Sequence, residues 1–163
     1  MLYLLNQLYG ELYMRNSTLC YIEKDNCYLM LHRIKKENDI NKNKWIGIGG
    51  GFLDGESPEE CCLREIKEET GLNVKKLHFR GIITFVTDNF ETEYMHLFTC
   101  SDFEGEIIDC NEGVLRWVPK NEIFNLELWE GDKIFLNYLF KDLPFFSLKL
   151  VYNQNKLIEY KMF

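Results

Sequence analysis

The sequence predicts a mixed α/β sandwich built as one domain. Stretches rich in β-branched and aromatic residues lie on both sides of a few helical segments. They do not alternate with helices in the regular way that builds a doubly wound parallel sheet. At 163 residues the chain has about the length of one domain. A chain of this length buries roughly two thirds of its surface, so we expect it to fold without disulfides or a structural metal.

The predicted elements follow one another from residue 16 onwards. Residues 18–23 and 27–33 are β-rich and flank a polar turn, which predicts a hairpin. A lysine-rich loop at residues 34–44 leads to a short strand at residues 45–48, which ends in three glycines. A helix is predicted at residues 58–70. The remaining predicted elements are strands at 74–86, 93–99 and 114–118, a helix at 132–140 and a closing hairpin of 145–152 with 157–161.

The first 14 residues look separate from this pattern. Their apolar residues repeat at helical spacing, as would suit a short amphipathic helix: Leu2, Leu5, Leu8, Tyr9 and Leu12. Two interpretations remain open. The segment docks on the domain or on a partner, or it is a leader upstream of a start at Met14, which we favour because the patterned region begins at Asn16. We therefore predict an N-terminal extension at residues 1–14 and one domain at residues 15–163.

Composition and charge argue against several classes of protein. The net charge is −7, whereas a protein that binds long DNA or RNA usually carries a basic face. No apolar run approaches the roughly 20 residues that span a bilayer, and the chain starts without the basic region of a secretory signal. The six cysteines lack zinc-like spacing, so we expect reduced, buried thiols in a cytoplasmic protein.

The helix at residues 58–70 has strong start and stop signals. Ser57 can cap it, Pro58 suits the first helical position, and Glu60 stands where a capping box requires an acid. Gly71 suits the position just after the end. The boundaries of this helix are therefore the most specific in the sequence.

Three acidic residues share one face of this helix. Glu65, Glu68 and Glu69 fall within an arc of about 100° at i, i+3, i+4 spacing. A solvated acidic face would explain them, but it would not explain the neighbouring arginine and glycines. Arg64 can hold Glu68, and Glu56 can hold Arg64. The helix is predicted to anchor to the core through Cys62, Leu63 and Ile66.

The three glycines at residues 49–51 let the backbone approach the helix and direct carbonyl groups at a ligand. Carboxylates and carbonyls are hard oxygen ligands, which suit Mg²⁺; Mn²⁺ could substitute for it. A cation between the three glutamates would remove their repulsion and could then bind phosphate oxygens. The pattern therefore favours a divalent metal site over a bare acidic face.

These residues resemble the Nudix box, G-x5-E-x7-R-E-U-x-E-E-x-G-U with U aliphatic. All nine fixed positions are filled: Gly50, Glu56, Arg64, Glu65, Ile66, Glu68, Glu69, Gly71 and Leu72. The resemblance implies the Nudix fold, an α/β/α sandwich around a mixed sheet. It also implies hydrolysis of a nucleoside diphosphate linked to another group.

Outside the box, the chain also resembles the MutT-type 8-oxo-dGTP diphosphatases, particularly a bacterial branch. It is carried by residues 44–47, 109–112, 129–132 and 144–147. It implies hydrolysis of oxidised purine nucleoside triphosphates to monophosphate and pyrophosphate, a DNA-repair activity that cleans the nucleotide pool. The resemblance implies that the protein binds a small nucleotide as its substrate. It also implies that the protein is a monomer or a homodimer.

The resemblance also assigns individual residues. The metal ligands would be the Gly49 carbonyl, Glu65, Glu68, Glu69 and Glu112; Arg64 would support them, and Glu69 or Glu112 would act as the base. The substrate would contact Arg33, Phe85, Trp129 and Asp132. Plainer interpretations stay open: a solvated loop position for Glu112, a surface charge for Arg33, a core position for Trp129 and a helix N-cap for Asp132.

Two departures affect the expected base pocket. Similar mammalian enzymes have an asparagine where this chain has Ile46, and two aspartates where it has Gly131 and Asp132. The base preference therefore stays open, with ADP-ribose, dinucleoside polyphosphates and canonical dNTPs as alternative substrates. A non-catalytic nucleotide sensor is the alternative from another class, although the intact glutamates of the box argue against it.

Overall fold

The computed structural model describes residues 14–163. The expected helix or leader at the N-terminus falls on residues 1–13 and so lies outside the described residues. The strands are β1 Arg15–Lys24, β2 Cys27–His32, β3 Trp45–Ile46, β4 Asn73–Thr87, β5 Glu93–Glu104, β6 Val114–Pro119, β7 Phe146–Asn153 and β8 Lys156–Met162. The helices are α1 Pro58–Thr70, a 3-10 turn at Ile123–Asn125 and α2 Glu130–Phe140.

The eight strands form one mixed sheet. Its order is β3-β2-β1-β5-β4-β7-β8, and β6 pairs with β2. β1 runs parallel to β5, and β4 runs parallel to β7, while the other pairs are antiparallel. The first hairpin, residues 18–23 with 27–33, is confirmed as β1 and β2.

The two helices cover opposite faces of the sheet. Successive residues of a strand point to opposite faces, and in β1 Tyr21 packs into one core cluster while Cys20 packs into the other. Phe135 of α2 lies in the cluster of Tyr21, and Ile66 of α1 lies in the cluster of Cys20. The predicted sandwich of a mixed sheet between helices is confirmed.

α1 begins and ends where its sequence predicts. Ser57 accepts a hydrogen bond from the backbone N–H of Glu60, whose side chain accepts one from the N–H of Ser57. Gly71 closes the helix in the left-handed conformation, with φ of 79°. The predicted role of Leu63 is wrong, because its side chain is 40% exposed. The buried face consists instead of Cys61, Cys62, Ile66, Glu69 and Thr70.

All six cysteines are free, and five of them are buried. Cys20, Cys62 and Cys100 lie together in the core cluster under α1. Burial raises the pKa of the Cys20 thiol well above its usual value, and hydrogen bonds with the other two thiols add to this. Within residues 14–163, no helix is long and apolar enough to cross a membrane.

Candidate active site

Arg64 joins the helix to the loop before it. Its Nε and Nη2 donate to the two carboxylate oxygens of Glu56 at 2.5 and 2.9 Å, a bidentate arrangement. Its Nη1 donates to Glu65 at 2.7 Å and to Glu68 at 3.2 Å. Nη2 also donates to the Gly51 carbonyl at 3.0 Å. The hydrogen bond from Arg64 lowers the pKa of Glu56 to about 2. Arg64 therefore fixes the positions of two of the predicted metal ligands.

The glycine segment lies between α1 and β1. It runs antiparallel to β1, where the carbonyls of Ile48 and Gly50 accept hydrogen bonds from Cys20 and Thr18 at 2.7 and 2.9 Å. Successive carbonyls of an extended chain point to opposite sides, so the Gly49 carbonyl is directed away from β1. A Cβ atom on Gly50 would lie 2.5 Å from the Glu65 carboxyl group. Backbone and carboxylate are almost in contact, so a larger residue at position 50 would displace the Glu65 side chain.

Glu69 is the least accessible acid of the site. It is 7% exposed, and its Oε2 has no hydrogen-bond partner among the described residues. Burial raises its pKa to about 9, and the hydrogen bond with Glu112 and the charges of Glu112 and Glu65 contribute further. An acid in such a position is in its neutral form at pH 7 unless a cation joins it.

Glu112 lies on the far side of the cleft, in the loop before β6. It forms ion pairs with Arg33 and Lys36, and Arg33 also binds Asp39 through Nε at 2.6 Å. Burial lowers the pKa of Arg33, but the hydrogen bond with Asp39 and the charge of Glu112 outweigh it and raise the pKa overall. Arg33 is therefore a largely buried, paired group, and it is not a surface charge.

One cavity of about 300 Å³ brings most of the predicted metal site together. Its wall includes Gly49, Glu65, Glu69, Glu112 and Arg33. Glu68 is outside it, with a side chain that is 59% exposed. Within residues 14–163, no three acidic, histidine or cysteine side chains converge as ready-made ligands. Ion pairs hold Glu65 to Arg64, and Glu112 to Arg33 and Lys36.

These residues nevertheless fit a divalent cation. Glu69 offers an unpartnered buried oxygen, and the charges of Glu65 and Glu112 act on it. The site combines carboxylates with a glycine backbone that lies against them, and such hard oxygen donors are the ones Mg²⁺ prefers. Glu65, Glu69 and Glu112, together with the Gly49 carbonyl, would hold the ion once the ion pairs rearrange.

A second cavity, of about 690 Å³, adjoins the first. Five residues line both: Arg15, Arg33, Lys36, Asn41 and Glu93. Phe85 lies in the wall of the larger cavity and packs against Tyr152, with ring centroids 4.9 Å apart. Trp129 packs edge-on against Tyr152 and donates its indole N–H to Asn41 at 2.8 Å. Phe85 therefore borders the cleft directly, and Trp129 reaches it through Asn41.

Asp132 is buried in the first turn of α2. The helix begins at Glu130, two residues earlier than predicted, and Trp129 is its N-cap. The interpretation of Asp132 as an N-cap is therefore wrong. Burial raises the pKa of Asp132 to about 7. Its backbone N–H donates to the Trp129 carbonyl at 3.1 Å, but neither Trp129 nor Asp132 lines either of the two cavities.

Sequence reasoning missed several residues that line the cleft, among them Lys36, Asn41 and Glu93. Lys36 and Asn41 lie in the lysine-rich loop, whose conformation has no local signal. Glu93 reaches the cleft through the pairing of β5 with β1 and β4. Only the register of the sheet could have revealed it.

Comparisons with known proteins identify the family of this chain. The NUDIX domain family profile matches residues 14–139. The oxidized purine nucleoside triphosphate hydrolase of Danio rerio is 30% identical over 129 residues, 78% of this chain and 82% of that protein. The ADP-ribose pyrophosphatase of Methanocaldococcus jannaschii is 45% identical over 62 residues, but these are only 37% of this chain and 34% of that protein.

Solved structures show the same arrangement of strands and helices. The mutator MutT protein of Bacillus halodurans superposes with a TM-score of 0.81 at 25% identity, over 91% of this chain and 97% of that one. The profile match includes the whole box from Gly50 to Leu72, and the fold places the box helix against the glycine segment. The chain belongs to the Nudix family and is a Nudix hydrolase.

Proposed function

We propose that this enzyme hydrolyses oxidised purine nucleoside triphosphates, in the first place 8-oxo-dGTP, to the monophosphate and pyrophosphate. The observation that carries the proposal is Glu69, a buried acid with an unpartnered oxygen beside the box carboxylates. The relatives named above support the substrate class. In the cell the reaction would remove damaged nucleotides before they enter DNA.

The phosphate chain would lie in the smaller cavity. Bound Mg²⁺ would supply charge neutralisation for the triphosphate and would lower the pKa of the attacking water. Glu65, Glu69 and Glu112 would hold it with the Gly49 carbonyl, and Glu68, which lies outside the cavity wall, would turn towards the ion when it binds. Glu69 or Glu112 would accept the proton of the water, because a carboxylate within hydrogen-bond reach is a competent base. Arg33 and Lys36, released from Glu112, would face the phosphate oxygens.

The base would lie in the larger cavity. Phe85 offers an aromatic face there. Trp129 and Asp132 lie behind the cavity wall, and we assign them to the support of this pocket, Trp129 through its hydrogen bond to Asn41. Asp132 has a pKa near 7, so in its protonated form it can donate to a base and in its ionised form it can only accept. The residues of this pocket would determine which nucleotide is bound, whereas the box residues would catalyse its hydrolysis.

The substrate is tested by measuring kcat/KM with 8-oxo-dGTP, dGTP, ADP-ribose and a dinucleoside polyphosphate, each with Mg²⁺ and with excess chelator. We expect Mg²⁺-dependent release of pyrophosphate and the highest kcat/KM for 8-oxo-dGTP. A preference for ADP-ribose would support the second candidate, which the archaeal relative favours. Hydrolysis of none of these nucleotides would favour a nucleotide sensor.

A further inference from the structure

Glu93 occupies a central position in the cleft that none of the predicted roles covers. It is the first residue of β5, and in the register of the sheet it lies opposite Phe85 of β4 and Arg15 of β1. Side chains of paired residues in adjacent strands lie on the same face of the sheet. Arg15, Glu93 and Phe85 therefore form a row across three strands.

This row crosses the boundary between the two cavities. Glu93 lines the larger cavity together with Phe85, and it lines the smaller one together with Glu65 and Glu69. Its side chain is 22% exposed, so its carboxylate is partly shielded by the wall of the cleft. A ligand that fills both cavities must pass beside this group.

The carboxylate of Glu93 has spare capacity to accept hydrogen bonds. Its nearest cation is the Nε of Arg15, 3.7 Å away, which is too far for a hydrogen bond. The Arg15 side chain is largely exposed, and screening by water weakens such a pair. Within residues 14–163, no group donates a hydrogen bond to Glu93 that meets normal geometry. A carboxylate in a cleft with this freedom is suited to N–H donors of a ligand.

Only the base of a nucleotide offers such donors. Phosphate oxygens at neutral pH are negatively charged and donate no hydrogen bond. Each ribose hydroxyl donates a single O–H, whereas a base edge can present two adjacent N–H donors. A guanine-type edge presents two adjacent donors, the N1–H and the 2-amino group, which match the two oxygens of a carboxylate. An adenine edge presents one donor next to an acceptor, so one carboxylate oxygen would face a lone pair.

We propose that Glu93 is a specificity-determining residue that binds the N1–H and 2-amino edge of a 2-amino-6-oxopurine while the ring lies against Phe85. The inference rests on the proposed function, since it assumes that the larger cavity holds the base. It restricts the substrate class to guanine-type nucleotides, whether oxidised or not, and disfavours adenine nucleotides and hypoxanthine nucleotides.

The test compares dGTP with dITP, which lacks only the 2-amino group. In the wild-type enzyme we expect kcat/KM to be higher for dGTP by roughly tenfold or more, because one hydrogen bond to a charged acceptor is lost with dITP. In Glu93→Gln the amide keeps one acceptor and turns a donor towards the base. The ratio of dGTP to dITP should therefore fall to within about threefold of one.

Two control variants separate this role from a general effect. Glu159→Gln removes an exposed carboxylate on β8 and should leave the dGTP to dITP ratio unchanged. Arg15→Gln removes the ion pair of Glu93 and should also preserve the ratio. If Arg15→Gln lowers the ratio as much as Glu93→Gln does, the ion pair is the cause and the proposal is wrong.

Binding of the monophosphates dGMP and dIMP, measured by calorimetry with chelator present, separates failure of this inference from failure of the proposed function. Tighter binding of dGMP that disappears in Glu93→Gln supports the inference even if the enzyme hydrolyses none of the triphosphates. Equal affinity of wild type for dGMP and dIMP, together with equal kcat/KM for dGTP and dITP, overturns it while leaving the hydrolase activity in place.

Discussion

At the scale of single residues, the buried carboxyl group of Glu69 makes the stability of the folded chain depend on pH. Its pKa is raised from the usual 4.5 to about 9 in the folded chain, chiefly by burial. Between these values the folded state keeps a proton that the unfolded state releases. The free energy of unfolding of the metal-free enzyme therefore falls as the pH rises through this window.

Glu69→Gln removes this penalty because an amide cannot ionise. We expect the Tm of the metal-free variant at pH 7.5 to exceed that of wild type by on the order of a few degrees, measured by calorimetry with chelator present. The matched control is Glu68→Gln, whose parent side chain is 59% exposed, and its Tm should stay close to that of wild type. A lower Tm for Glu69→Gln would show that the Glu69 carboxyl stabilises the fold.

The same residue predicts how Mg²⁺ affects stability. An ion that binds only the folded state raises its stability by mass action. We expect saturating Mg²⁺ to raise the Tm of wild type and to raise that of Glu69→Gln much less, measured in parallel melts. Equal shifts in both proteins would place the ion away from Glu69.

At the scale of elements, the close contact of the glycine segment with α1 makes the site sensitive to a single methyl group. An alanine at position 50 would bring its Cβ to 2.5 Å from the Glu65 carboxyl group, whereas at position 51 the nearest heavy atom would be 3.9 Å away. We expect Gly50→Ala to lower kcat/KM at least tenfold by displacing Glu65, a proposed metal ligand, since the position of such a ligand has to be held within about 0.5 Å.

Gly51→Ala is the matched control, and it should lose much less activity, measured in the same steady-state assay with 8-oxo-dGTP. Both variants should remain folded by circular dichroism, since each lies on the surface of the cleft. An equal loss in the two variants would show that backbone freedom matters in this segment, and that the contact with Glu65 does not.

The boundaries of α1 could be read from sequence because its caps are local. Ser57, Glu60 and Gly71 contact only residues a few positions away, so their chemistry does not depend on the rest of the fold. The start of α2 could not be read in this way, because Trp129 caps it without a side-chain hydrogen bond. Leu63 was misplaced because apolar character alone does not fix which face of a helix meets the sheet.

At the scale of the whole molecule, the predictable part of the site is the part within one stretch of chain. The box residues from Gly50 to Glu69 contact one another within the helix and the loop before it. Their spacing in the sequence was therefore enough to predict that they lie close together. Glu93 and Lys36 meet the box only through sheet pairing and a loop contact with Glu112. Such contacts depend on how distant strands and loops are aligned in the folded chain. No short stretch of the sequence reveals that alignment.

We expect hydrolysis by this enzyme to need both Mg²⁺ and the carboxylates of α1. The most direct measurement is the rate of pyrophosphate release from 8-oxo-dGTP by wild type, Glu68→Gln and Glu69→Gln, with Mg²⁺ and with chelator. The predicted result is rapid release by wild type that needs Mg²⁺, and kcat lower by two or more orders of magnitude in both variants. Near wild-type turnover in both variants, or equal rates with chelator, would contradict it.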